Sequence, residues 1–221
     1  MDNSMIYAFV DHTLLAATAT WEEITALCEE AINYKTASVC ISPSFVKRVH
    51  DKYGDALVIC TVIGFPLGYS CLEAKTCEIE KAIGDGASEL DVVINIGDAK
   101  AHNFDKITAE LTALKKAAGD KIVKVIIECC YLDKDEKIAL CKCVTDSGAD
   151  YIKTSTGFGT GGATIEDIKL FKEHIGPGVK IKAAGGMRTR EDFIAFISEG
   201  CSRLGTSSAV KVLSGETPNA Y

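Results

Sequence analysis

Asp150-Tyr151-Ile152-Lys153-Thr154 and Val179-Lys180-Ile181-Lys182-Ala183 bracket a helix-patterned stretch over residues 164–174, and this unit decides the fold. Two strands joined through a helix run parallel, because only a long crossover returns the chain to the same end of a sheet. The same unit recurs along the chain. Strand-like apolar runs are predicted over residues 8–12, 37–41, 57–63, 89–95, 122–128, 150–154, 179–183 and 203–206. Each but the last is followed by an amphipathic segment, with helices predicted over 21–34, 71–83, 104–117, 133–147, 164–174 and 190–199. Thr164 with Asp167 makes a capping-box-like start, and Gly84, Gly119, Gly148 and Gly176 lie where helices should stop.

Eight strand–helix repeats in 221 residues predict an α/β fold, a single-domain (β/α)8 TIM barrel over residues 1–221. A doubly wound open sheet is the competing architecture. Its mark would be a Gly-rich turn in the first unit, and Val10-Asp11-His12-Thr13-Leu14-Leu15 has none. No Pro/Gly/Ser-rich linker divides the chain, and 47% hydrophobic residues suffice for one substantial core.

Composition narrows the function. A formal charge of −7 provides no basic field for a phosphate backbone, which argues against nucleic acid as a partner. The ten cysteines include no Cys-x-x-Cys, and His12, His50, His102 and His174 are scattered, so the usual zinc spacings are missing and reduced thiols are expected. The N-terminus lacks a basic region followed by an apolar core, and no apolar run approaches membrane-spanning length. A cytoplasmic protein with no membrane partner is expected.

Alternation in Glu89-Leu90-Asp91-Val92-Val93-Ile94-Asn95 puts Leu90, Val92 and Ile94 on one face and Glu89, Asp91, Val93 and Asn95 on the other. In a barrel the second face looks inward, where a carboxylate at Asp91 requires a cation. Lys153 and Lys182, near the ends of consecutive strands, supply one. An amine attacks a carbonyl only when unprotonated, and a neighbouring cation in a poorly solvated site favours that form. The Lys–Asp–Lys set therefore points to Schiff-base chemistry. Taken singly, each lysine also reads as a strand-end side chain with its head in water, as Lys180 on the same face illustrates, and Asp91 as one half of a buried ion pair.

Gly157-Phe158-Gly159-Thr160-Gly161-Gly162 formally matches a dinucleotide signature, but it comes late in the chain and the strand after it ends without the acidic residue that holds a ribose. A flexible loop lining an anion pocket is the better reading. Gly185-Gly186 and Gly205-Thr206-Ser207-Ser208 follow the seventh and eighth strands, the habitual phosphate position of such barrels, although either alone is also an ordinary tight turn. Four further residues are secondary candidates. Asp11 and Thr13 either line the mouth or cap a helix; Cys40 either faces the pocket or is a buried thiol; and Lys124 alternates with Glu128 as an inward pair.

These motifs, with Asp11-His12-Thr13-Leu14-Leu15, Gly64-Phe65-Pro66-Leu67-Gly68 and Lys182-Ala183-Ala184-Gly185-Gly186-Met187-Arg188-Thr189, resemble the deoxyribose-phosphate aldolase family in the same order over nearly the whole chain. The resemblance implies a class I aldolase with no metal and no cofactor, splitting 2-deoxy-D-ribose 5-phosphate into acetaldehyde and D-glyceraldehyde 3-phosphate in deoxynucleoside breakdown. It places the Schiff base on Lys153, proton transfer on Asp91 and Lys182, and phosphate contacts at Gly157, Gly185, Gly186, Gly205, Ser207 and Ser208. It also implies a homodimer and a terminal tyrosine, here Tyr221, that reaches the site, an ordinary free terminus being the alternative. The bond expected to break is C3–C4. Ala184 stands where serine is common and Met187 where isoleucine is usual, departures that bear on rate and specificity. Another Schiff-base barrel enzyme, a non-catalytic sugar-phosphate binder and a nicotinamide-dependent dehydrogenase are the competing functions.

Overall fold

Val, Ile, Leu and Cys dominate the short strands, which are buried along almost their whole length, as a parallel sheet wrapped by helices requires. The structure, a computed structural model, describes residues 1–215. Strands β1 (Val10–Leu14), β2 (Ser38–Ile41), β3 (Ile59–Ile63), β4 (Glu89–Val93), β5 (Ile122–Ile126), β6 (Tyr151–Lys153), β7 (Lys180–Ala184) and β8 (Arg203–Thr206) pair in chain order. Every pairing is parallel, and β8 returns to β1, so the sheet closes into an eight-stranded barrel and the open-sheet alternative falls.

The helices are α1 (Asn3–Tyr7), α2 (Trp21–Tyr34), α3 (Pro43–Tyr53), α4 (Leu72–Gly84), α5 (Ile96–Lys100), α6 (Phe104–Ala118), α7 (Lys134–Asp146), α8 (Ile165–His174), α9 (Arg190–Glu199) and α10 (Ala209–Ser214). Local chemistry sets their starts. Thr20 with Glu23, Asp133 with Glu136 and Thr189 with Asp192 form reciprocal capping boxes, each satisfying N–H groups that a first turn leaves free. Among the described residues no helix is long and apolar enough to cross a membrane.

The two faces of the sheet have opposite characters. Leu90, Val92 and Ile94 point outward into one continuous apolar layer with Ile79 of α4 and Ile107 and Leu111 of α6. Each such side chain contributes about 1.5–3 kcal/mol through burial. Inside the barrel Cys40, Cys60 and Val62 form a small apolar cluster on the β2–β3 side, with Leu15 and Phe65 packed against it. The charged side chains fill the rest of the interior together with Val93, Ile126, Tyr151 and Ala184, which alternate onto the same face.

Element edges differ from expectation for local reasons. β1 begins two residues later than predicted because Asp2 caps the unanticipated helix α1. β4 stops at Val93 because the Asn95 side chain accepts from the Asp98 N–H and starts α5. A short helix, α10, also follows the last strand, where none was expected.

Candidate active site

Strand register gathers distant residues. Lys153 and Lys182 are partners across β6 and β7, and Asp91 and Lys124 across β4 and β5. Closure of the barrel turns all four inward, where Asp91, Lys124 and Lys182 are completely buried and Lys153 is 3% exposed. Asp91 is the hub. Its Oδ2 lies 2.7 Å from the Nζ of both Lys153 and Lys182, and its Oδ1 lies 2.9 Å from Lys124 Nζ and accepts from Cys60 Sγ at 3.2 Å.

The floor of the cluster is equally ionic. Lys182 also pairs with Asp11, and Lys124 reaches Glu89 at 2.7 Å. Arg203 joins Asp11 at 3.0 Å to Glu89 at 2.7 Å. Three carboxylates (Asp11, Glu89, Asp91) thus face four cations (Lys124, Lys153, Lys182, Arg203). Burial pushes the Asp91 and Asp11 carboxyls up, but the surrounding lysines outweigh it and hold both below the usual carboxylate range. Burial likewise pulls Lys124 and Lys182 down, and their carboxylate neighbours more than compensate, holding both ammonium groups above the ordinary lysine value.

The three lysines are therefore not equivalent. Among the described residues Lys124 touches three carboxylates and Lys182 two, whereas Lys153 has one, through an oxygen it shares with Lys182. Lys153 ends β6, in register with Ile126, two residues nearer the strand ends than Lys124. It is the lysine of the cluster whose amine is held least tightly.

Glycine at 205 makes this cluster fit. A Cβ there would sit 3.1 Å from Lys182 Cε, so the bare backbone of β8 leaves the channel through which Lys182 reaches Asp11. The loops above are also joined backbone to backbone: a Cβ on Gly162 would meet Gly185 C at 2.5 Å. Gly157 lies in the first of these loops; Gly185 and Gly186 form the second, with Gly185 N donating to Gly205 O at 3.4 Å. Ser207 is exposed and Ser208 half-buried beside the Thr206 hydroxyl, 3.1 Å away.

The secondary candidates fare differently. Asp11 lies inside the barrel and neither lines the rim nor caps a helix, since Thr20 caps α2. Thr13 spends its hydroxyl on Asp11 O at 2.7 Å. Cys40 is fully buried beside Cys60. Lys124 belongs to the central cluster, but the expected pair with Glu128 does not form: Glu128 adopts a left-handed backbone and its carboxylate turns to Thr156. Tyr221 lies outside the described residues. The glycine stretch 157–162 does not open a helix, because α8 starts only after Thr164 caps it.

Glu89, Arg203 and Cys60 were not singled out beforehand. Alternation already put Glu89 on the face of Asp91, and the same rule applied to the third and eighth runs would have turned Cys60 and Arg203 inward with Val62 and Gly205. Donor atoms of Cys40, Cys60 and Asp91, and of Asp11, Cys60 and Glu89, gather within 4.8 Å. Every carboxylate among them already faces a lysine or arginine, which opposes a further cation. A cavity of about 190 Å3 lined by Leu15, Ser42, Pro43, Val62, Phe65 and Glu78 adjoins the β2–β3 side. A larger hollow of about 410 Å3 lies outside the barrel between α7 and α8, among Lys134, Lys137, Glu166 and Lys169, and touches none of the cluster.

Comparison with known proteins agrees with this geometry. The model of the DeoC/LacD family of aldolases matches residues 5–214. A deoxyribose-phosphate aldolase of Clostridium botulinum (strain Alaska E43 / Type E3) is 61% identical over 221 residues, all of both chains. Its counterpart in Clostridioides difficile (strain 630) is 57% identical over 212 residues, 96% of this chain and 97% of that one. The tetrameric deoxyribose phosphate aldolase of Aeropyrum pernix superimposes with a TM-score of 0.90 at 32% identity, covering 97% of this chain and 92% of that one. With its ring of charge beneath glycine-rich loops, the chain belongs to the DeoC/LacD family of aldolases.

Proposed function

We propose that this chain is a class I aldolase, a lyase that reversibly cleaves 2-deoxy-D-ribose 5-phosphate to acetaldehyde and D-glyceraldehyde 3-phosphate, and that Lys153 is its nucleophile. The observation that carries the assignment of Lys153 is its single carboxylate contact among the described residues, against two for Lys182 and three for Lys124. Lys153 Nζ, as the free amine, adds to the C1 aldehyde of the open-chain sugar. The carbinolamine loses water and leaves an iminium, which draws electrons toward the nitrogen.

The bond that breaks is C2–C3, a correction to the C3–C4 bond expected above. A C1 iminium stabilises developing charge only at C2, and a two-carbon product requires the cut there. The C3 hydroxyl gives up its proton as C3 becomes the carbonyl of glyceraldehyde 3-phosphate, and the electron pair of the broken bond forms an enamine. Protonation at C2 and hydrolysis then release acetaldehyde and restore the lysine. We assign these proton transfers to Asp91 and Lys182, supported by Asp91 Oδ2 lying 2.7 Å from the Nζ of both Lys153 and Lys182.

The phosphate is assigned to Gly205 in β8 and to the loops carrying Gly157, Gly185, Gly186, Ser207 and Ser208, which would hold the reacting carbons over Lys153. The ten cysteines, all free among the described residues, fit a reducing cytoplasm as the place of action. A homodimer is the assembly proposed. The test is borohydride reduction in the presence of deoxyribose 5-phosphate, followed by peptide mass mapping. The expected adduct is on Lys153; an adduct solely on another lysine would reject the assignment.

A further inference from the structure

The loop that follows Lys153 is held from outside the charged cluster. Glu128, just past β5, is 2% exposed and adopts φ 56, a left-handed backbone that a non-glycine residue takes up at a cost. That conformation removes it from Lys124 and aims it at the neighbouring loop. Its carboxylate receives the Thr156 N–H at 3.1 and 3.3 Å and the Thr156 hydroxyl in a short hydrogen bond. Cys130 Sγ approaches the same carboxylate at 4.0 Å.

The chain of contacts continues into the glycine stretch. Phe158 N–H donates to Thr156 Oγ1 at 3.0 Å, so one hydroxyl accepts from the loop and donates to Glu128. Gly159 packs over this pair: a Cβ there would meet Cys130 Sγ at 2.8 Å and Glu128 Cδ at 3.1 Å. Three residues further on, Gly162 lies against Gly185. Glu128 therefore sits at the root of a path that runs from Thr156 through residues 157–162 to the Gly185–Gly186 loop.

We infer that Glu128 is a positioning residue for the phosphate end of the substrate: it fixes the Thr156–Phe158 turn and, through it, the loops that hold the phosphate, without touching Lys153 chemistry. This deepens the proposed function and rests on its assignment of the phosphate to those loops. A glutamine at 128 would place an amide N–H2 against Thr156, whose own N–H and O–H both donate there. The amide would compete with Phe158 N–H for the hydroxyl, loosening the turn at nearly constant volume.

The experiment compares deoxyribose 5-phosphate with unphosphorylated deoxyribose as substrates for the intact protein. Glu128→Gln is expected to lower kcat/KM on the phosphate ester by about tenfold or more, mainly through KM, because small misplacement of a bound group costs that much. Turnover of deoxyribose should stay within about twofold. Thr156→Val should reproduce the effect, Thr156→Ser should stay near wild type, and Glu128→Gln with Thr156→Val should be no worse than either alone, since both break one contact. Equal losses on both substrates, or no loss on the ester, would overturn the inference. If Glu128→Gln fails to fold, the Thr156 pair decides the matter. A wild-type protein with no preference for the ester defeats the phosphate assignment and this inference with it, and is told apart by needing no variant.

Discussion

On the outer face of the sheet Lys75 is wholly buried, as Lys182 is on the inner face, yet the two regions accommodate the charge differently. Lys75 donates to Val93 O at 2.9 Å and pairs with Glu110 at 3.1 Å, a carboxylate whose side chain is 15% exposed. Its stem packs so close to Gly64 that a Cβ there would lie 2.8 Å from Lys75 Cε. The contacts tie α4 to β4 and α6, and apolar side chains fill the space around them. Lys182 instead shares one carboxylate oxygen with a second lysine, beneath the loops at the strand ends. Burial of a lysine is therefore no sign of chemistry; sharing its counter-ion with another amine is.

Removing each lysine should separate the two cases. Lys182→Met is expected to give the largest effect, a fall in kcat of about 10²–10⁴-fold of the size seen when a proton-transferring group is lost. Steady-state kinetics on protein of native circular dichroism checks this, and a near-normal kcat would remove Lys182 from the mechanism. Lys75→Met should instead leave kcat per folded molecule unchanged. Its cost is structural, about 1–3 kcal/mol for the buried Val93 carbonyl left without a partner. Urea unfolding measures it, and a specific loss of kcat at full stability would abolish the contrast between the faces.

The smallest expected effect is a lack of slope. Asp11 and Asp91 are held below the ordinary aspartate value of 3.8, so their contribution to stability is fully present above that pH and is lost as pH falls through the lower folded values. Lys124 and Lys182 are held above 10.5, so their contribution is present below that pH and is lost as pH rises through the higher folded values. Between about pH 5 and pH 9 these four groups should add no pH dependence to stability. Denaturation midpoints across that range test this; a slope that Asp11→Asn abolishes would show that the cluster titrates where it should not.

Much of this was legible beforehand, for identifiable reasons. Parallel strands buried on both faces leave dense apolar runs, so all eight were found, and alternation alone turned Asp91 toward Lys153 and Lys182. Pairings that depend on closure were not readable. Asp11 and Lys182 are 171 residues apart and meet only because β8 returns to β1 beside a side-chain-free Gly205. The expected Lys124–Glu128 pair followed from alternation continued past Ile126, and it failed because the backbone turns left-handed at Glu128. The start of β1 slipped because the Asp2 cap draws residues 3–7 into a helix that five residues of sequence advertise only weakly.

The imbalance of four cations over three carboxylates inside the barrel has a consequence for how the covalent intermediate is tolerated. An iminium on Lys153 carries the same unit charge as the ammonium it replaces. Swapping one for the other leaves the electrostatic sum of the interior unaltered, so Asp11, Glu89 and Asp91 face the same total in both forms. A scaffold already shaped around a positive nitrogen at that point has little dipolar rearrangement to perform when the sugar becomes bonded there.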